Sequence, residues 1–78
     1  MKIKVLFFGA TADAAGKREV QLETSAETAG AALQEIIGAY PALSKHRLLV
    51  AVNENYVEPS AKLKDGDELA IFTPVSGG

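Results

Sequence analysis

The chain has 78 residues, of which 47% are hydrophobic and 23% charged, the balance of a folded globular protein and not of a disordered one. Eight Lys and Arg against ten Asp and Glu give a net charge of −2, with no basic stripe to track a nucleic-acid backbone. Cys is absent, which excludes disulfides, thiolate metal sites and a cysteine nucleophile.

A chain this short buries only roughly 60% of the surface its unfolded form exposes, and no repeat or linker interrupts it. One domain over residues 1–78 with a small core is therefore expected. No apolar run approaches the ~18 residues of a membrane-spanning helix, and Met1-Lys2-Ile3-Lys4 is too brief for a signal peptide. The expectation is a cytoplasmic protein without a membrane partner.

In chain order, Ile3, Val5 and Phe7 alternate with Lys2, Lys4, Leu6 and Phe8, which predicts a strand with one apolar face and a second face that is half apolar. Gly9 to Gly16 reads as a small-residue connection. Arg18 to Leu22 alternates again, placing Val20 and Leu22 on one side as a hairpin partner would. Ala29, Leu33, Ile36, Ile37 and Tyr40 recur at helical spacing and form one stripe. Thr24 with Glu27 fits a capping box, and Thr28 is the alternative cap. Pro41 ends the helix, because the residue before proline is pushed out of the helical region.

Leu48 to Val52 reads as a buried strand, Asn53-Glu54-Asn55 as a turn, and Tyr56-Val57 as a short return strand stopped before Pro59. Lys64-Asp65-Gly66-Asp67 is a second turn, after which Leu69 and Ile71 point one way and Ala70 and Phe72 the other. The predicted order is β-β-α-β-β-β.

If Ile3, Val5, Phe7, Leu69 and Ile71 meet the helix, then Leu6, Phe8, Ala70 and Phe72 emerge together on the opposite face. Each aromatic ring offers ~150–250 Å² to bury, worth several kcal/mol for the pair at ~25 cal/mol/Å². A protein partner, or loops of this chain, must cover them. The single His, His46, stands between Lys45 and Arg47, a solvated cluster rather than a catalytic base. No glycine-rich phosphate loop and no spaced metal-ligand set is present.

The sequence ends Val75-Ser76-Gly77-Gly78. Without Cβ atoms, Gly77 and Gly78 can pass through a channel too narrow for side chains, which would leave the final carboxylate to do the chemistry; the alternative is a frayed terminus. At about 3.3–3.6 Å per residue, Thr73 to Gly78 reach roughly 20 Å beyond the sheet.

A hairpin, a helix laid across it and a last strand returning to the sheet is the β-grasp arrangement of ubiquitin-like proteins, an α+β fold with a mixed sheet of about five strands, one main helix and a flexible Gly-Gly tail over residues 73–78. Four segments carry a closer resemblance: Lys4-Val5-Leu6-Phe7-Phe8-Gly9, Leu48-Leu49-Val50-Ala51-Val52-Asn53, Leu63-Lys64-Asp65-Gly66-Asp67-Glu68, and Phe72-Thr73-Pro74-Val75-Ser76-Gly77-Gly78. Together they span nearly the whole chain, which resembles the small, sulfur-carrying subunits of molybdopterin synthase. Two departures from that pattern stand out: Ala12-Asp13 occur where many relatives carry an Arg-Glu pair, and Thr73 where many have a second proline.

The resemblance implies a co-substrate that is not an enzyme on its own. A ubiquitin-activating-type adenylyltransferase would join the Gly78 carboxylate to AMP from ATP, and a sulfur donor protein would displace AMP to leave a thiocarboxylate. The tail, Pro74, Val75, Ser76 and Gly77 leading to Gly78, would then enter the large synthase subunit and deliver sulfur to cyclic pyranopterin monophosphate. Leu6, Phe8, Ala70 and Phe72 are the implied partner-binding residues. The chain itself is expected to bind no cofactor or metal, the ATP being used by the activating partner. A thiamine-pathway sulfur carrier and a ubiquitin-like protein modifier share the fold and the Gly-Gly end and are the alternatives.

Overall fold

Period-two alternation builds the sheet. The computed structural model describes residues 1–74; the tail positions Val75, Ser76, Gly77 and Gly78 lie outside the described residues. Strand β1, Lys2–Phe7, buries Ile3, Val5 and Phe7 and turns Lys2 and Lys4 outward. Strand β2, Glu19–Glu23, runs antiparallel to it with Val5 opposite Val20 and Ile3 opposite Leu22. Strands β3, Leu49–Val52, and β4, Asn55–Tyr56, form a second hairpin.

The last strand, β5 (Glu68–Phe72), enters between the two hairpins. It pairs parallel with β1, Val5 beside Leu69 and Phe7 beside Ile71, and antiparallel with β3, Val50 opposite Ile71. The sheet order is β2-β1-β5-β3-β4, the mixed five-stranded β-grasp sheet expected from the sequence. Leu69 and Ile71 are fully buried.

Helix α2, Ala29–Ala39, covers the inner face. Its buried stripe is Ala29, Ala32 and Ile36, with Leu33, Ile37 and Tyr40 packed at the margins. Of the two candidate caps, Thr28 is the one used: its side chain accepts the Ala31 N–H at 3.2 Å. The Thr24–Glu27 box does not form. Thr24 is buried, accepts the Ala26 N–H and bonds the Glu35 carboxylate, while Glu27 gives its carbonyl to the Leu63 N–H. Two further N–H groups of the first turn, which a helix leaves without internal partners, donate to the Ala61 and Pro59 carbonyls at 2.8 Å each from Ala29 and Gly30. The connection before β5 therefore caps the helix.

Tyr40 ends α2 ahead of Pro41, as expected, but the chain then winds into a 3-10 helix over Pro41–Lys45 that seals the core with fully buried Leu43. A second correction concerns Gly9 to Gly16, read as a plain connection. It holds helix α1, Ala10–Ala15, closed by Gly16 in the left-handed region at φ 73°. Its alanine-rich run favours a helix but is too short to show a period in sequence.

The β3–β4 turn is tighter than predicted. Only Asn53 and Glu54 form it, both at positive φ (48° and 71°), and Asn55 already belongs to β4. Asn53 clips two turns together: its amide donates to Asp67 at 3.0 Å and its carbonyl oxygen accepts the Glu68 N–H at 3.0 Å. Asp67 also accepts the Lys64 N–H. These bonds, led by the Asn53 amide, hold its carboxyl below the usual carboxylate range. Asp65 in turn accepts the Lys2 N–H at 2.7 Å. The Asn and Asp-Gly-Asp positions of the quoted segments are thus structural clips at the sheet end away from the tail.

The tight approach at Gly30 is testable. A Cβ there would stand 2.9 Å from the Pro59 Cβ and 3.0 Å from the Pro59 carbonyl oxygen, whereas a Cβ at Gly38 meets nothing within 4 Å. Ala gains up to ~1 kcal/mol over Gly inside a helix, but overpacking against a proline ring and a backbone oxygen costs ~1–3 kcal/mol. Gly30→Ala is therefore expected to lower stability in urea unfolding, and Gly38→Ala to raise it.

Candidate functional site

Register decides what the outer face carries. Cross-strand partners share a face, so Glu19, Leu6, Ala70, Ala51 and Tyr56 form one row across all five strands. One row toward the tail, Leu49 lies opposite Phe72. Phe8 stands at the same level, its N–H donating to the Ile71 carbonyl at 3.1 Å. In the other direction the rows turn charged: Gln21, Lys4 and Glu68 share one, and Glu23 and Lys2 the next. The face is split into an apolar half and a charged half. Because β1 and β5 are parallel, their C-terminal ends coincide, and the chain leaves the sheet from the apolar half.

The four residues expected on this face are all there, in unequal positions. Phe8 is 51% exposed, while Leu6, Ala70 and Phe72 are half-buried. Phe72 is partly covered by this chain's own Tyr56, with ring centroids 5.4 Å apart. The two covers foreseen for the rings thus divide: Phe72 finds one at home, and Phe8 does not.

The surface is continuous. Phe8 borders a shallow groove with Leu6, Asp13 and Arg18 on one side and another with Glu54, Tyr56 and Phe72 on the other. Tyr56 and Phe72 then border a third groove, about 400 Å³, with Leu49, Thr73 and Pro74. Pro74 is the one tail position among the described residues for which the sequence implied a role, and it sits at this mouth.

Two members of the patch went unread in the sequence. Tyr56, 81% exposed, and Leu49, 40% exposed, join through strand register: the two-residue turn sets Tyr56 opposite Ala51, and the β3–β5 pairing sets Leu49 opposite Phe72. The signal was present in the Asn53-Glu54 turn length, since one residue more would send Tyr56 to the other face. Thr11 was missed as well. It is fully buried at the base of Phe8 and bonds both Phe8 and Ile71. Lys45 ends the 3-10 helix and His46 and Arg47 follow it, all three exposed, and Asp13 lies on the groove rim beside Arg18. Among the described residues no cluster of three potential ligands could hold a metal ion, and no helix is long and apolar enough to cross a membrane.

A family model described as "ThiS family" matches residues 5–78. A molybdopterin synthase sulfur carrier subunit of Chlamydomonas reinhardtii is 44% identical, with all of each chain covered. Among solved structures, the small archaeal modifier protein 1 of Haloferax volcanii superposes with a TM-score of 0.86 at 31% identity over all of both chains. A protein–protein complex of subunits 1 and 2 of the molybdopterin-converting factor from Helicobacter pylori contains a chain that matches with a TM-score of 0.73 at 25% identity, again over all of both.

Exposure and burial predict opposite outcomes for two adjacent rings. Phe7, 3% exposed, sits in the core with Tyr40 edge-on at 5.7 Å, and Phe7→Ala is expected to cost ~3–5 kcal/mol. Phe8→Ala should stay within about 0.5 kcal/mol of wild type, as surface changes do. Phe72→Ala falls between them, near ~1 kcal/mol for the lost aromatic pair. Chemical denaturation of the three variants reads the order directly.

Proposed function

The chain belongs to the ThiS family, and on that premise we propose that it is the sulfur carrier subunit of a molybdopterin synthase, acting in molybdenum cofactor biosynthesis. The observation that carries this reading is full-length similarity, 44% and 38% identity, to proteins named as such carriers in Chlamydomonas reinhardtii and Haemophilus influenzae. The fold supports it from the chain's own geometry: an apolar half-face, with Phe8 uncovered, opens onto the point where the tail leaves the sheet.

The chemistry asks little of this chain beyond presentation. A carboxylate resists nucleophilic attack, so Gly78 would first attack the α-phosphate of ATP on an activating adenylyltransferase, releasing pyrophosphate and forming an acyl adenylate. Sulfur released from a donor protein at the sulfide level would then attack the acyl carbon and expel AMP, leaving a thiocarboxylate. Delivered into the large subunit, that sulfur would replace an oxygen of cyclic pyranopterin monophosphate, and two deliveries would build the dithiolene. Acids, bases and oxyanion donors belong to the partners in this scheme, and the chain supplies the docking face, the tail and the reacting carbonyl. It would be no enzyme alone and would hold no cofactor of its own.

The partner follows the same logic. Leu6, Phe8, Ala70 and Phe72, with Tyr56 and Leu49 added by the structure, would lie against a large subunit like subunit 2 in the Helicobacter pylori complex, while Pro74 to Gly77 thread toward its active site. A second reading has one observation in its favour, the 31% identity to an archaeal modifier protein: the same activated Gly78 would pass to a lysine amine.

The test is intact mass spectrometry of the chain incubated with ATP, the activating enzyme and the sulfur donor. Wild type should gain a species in which one oxygen is replaced by sulfur. Deletion of Gly78, or one residue added after it, should abolish that species with the melt unchanged. Sulfur transfer by the extended form contradicts the carrier reading. Lysine-linked conjugates without a thiocarboxylate would favour the modifier.

A further inference from the structure

Thr11 has no place in the chemistry above, yet it is fully buried and its hydroxyl is the most heavily engaged side-chain oxygen near the tail root. Oγ1 accepts the Phe8 N–H at 2.9 Å and lies 2.7 Å from the Phe8 carbonyl and 2.8 Å from the Ile71 carbonyl, its single proton serving these two acceptors. The Thr11 N–H also donates to the Phe8 carbonyl at 3.2 Å, and the Phe8 N–H is shared with the Ile71 carbonyl at 3.1 Å.

This cluster sits where regular pairing stops. The parallel ladder between β1 and β5 ends at Phe7 and Ile71. One residue on, the two strands carry the most exposed ring of the sheet's central pair, Phe8, and the residue that leads into the tail, Phe72. Thr11 Oγ1 joins the shared Phe8 N–H at the Ile71 carbonyl, and among the described residues it makes the side-chain hydrogen bond that ties α1 to β5. The hydroxyl thus extends the ladder past its last backbone partner and sets the strand ends at one angle.

We propose that Thr11 is a positioning residue for the tail: its hydroxyl locks the end of β5 to the backbone of Phe8, so that docking of the outer face points the tail along one direction. The proposal rests on the carrier reading. It assigns Thr11 no contact with substrate or partner. A misdirected tail loses rate while the docking surface stays complete, because small displacements of a reacting group are costly in the reaction step even where affinity comes from elsewhere.

The experiment compares Thr11→Val, which keeps the shape and loses the hydroxyl, with Thr11→Ser, which keeps the hydroxyl. Both are measured in the full chain for calorimetric affinity toward the large subunit and for single-turnover sulfur transfer from the thiocarboxylate form. Thr11→Val should bind within about two-fold of wild type and transfer sulfur about ten-fold more slowly at saturating large subunit, with Thr11→Ser near wild type in both. Should Thr11→Val melt below the assay temperature, Thr11→Cys, with its weaker donor, carries the same comparison. Equal transfer rates in Val and wild type, or a rate loss matched by an equal loss of affinity, would overturn the positioning role. A wild-type chain that forms no thiocarboxylate would instead overturn the carrier reading beneath it, so the two failures are separable.

Discussion

Everything about this molecule's working end depends on the parallel pairing of its first and last strands. Hairpins form locally, but a parallel pair needs a long crossover, and here nearly the whole chain, including α2, is that crossover. Its consequence is directional. With β1 and β5 side by side and pointing the same way, the apolar outer residues near their C-terminal ends, Leu6, Phe8, Ala70 and Phe72, fall together, and the chain that follows Phe72 leaves from among them. An antiparallel pairing would have separated the ring of Phe8 from that of Phe72 by the length of the strand.

The same pairing explains why the small core suffices. Ile3, Val5 and Phe7 from β1 and Leu69 and Ile71 from β5 are all at most 3% exposed and lie in adjacent strands, so α2 needs only Ala29, Ala32 and Ile36 to close over them, with Leu43 at the end. Small residues at the helix contact let it sit close, and at its first turn Gly30 lets the connection before β5 approach as well, with Pro59 against it. Polar groups drawn inside are matched: among the described residues no buried side-chain nitrogen or oxygen lacks a hydrogen-bond partner.

Where the sequence was legible, alternation was the reason. Ile3-Val5-Phe7 and Leu69-Ile71 announce one face, and their interleaved neighbours the other, because a strand's period is two residues whatever its partners. The sheet order was not available from alternation and came through resemblance to a β-grasp fold. Features that depend on tertiary partners stayed hidden. Thr24 fits a capping box by type and spacing, but Glu35 and Ala26 use its oxygen, and Thr28 together with the backbone carbonyls of Pro59 and Ala61 caps the helix instead. Thr11 reads as one small residue among alanines, and only the approach of β5 gives its hydroxyl a purpose. Tyr56 needed the turn geometry at Asn53-Glu54, which an Asn tolerates readily and a Glu less so.

The claim that unites these observations is that the outer face is divided, with one half made for a partner and the other for solvent. Backbone chemical-shift mapping of the labelled chain titrated with the large synthase subunit tests it most directly. The account predicts that perturbations gather at Phe8, Leu49, Tyr56, Phe72 and Thr73 and spare Lys4, Gln21, Glu68 and the exposed side of α2. A footprint centred on the charged rows or on the helix would contradict it.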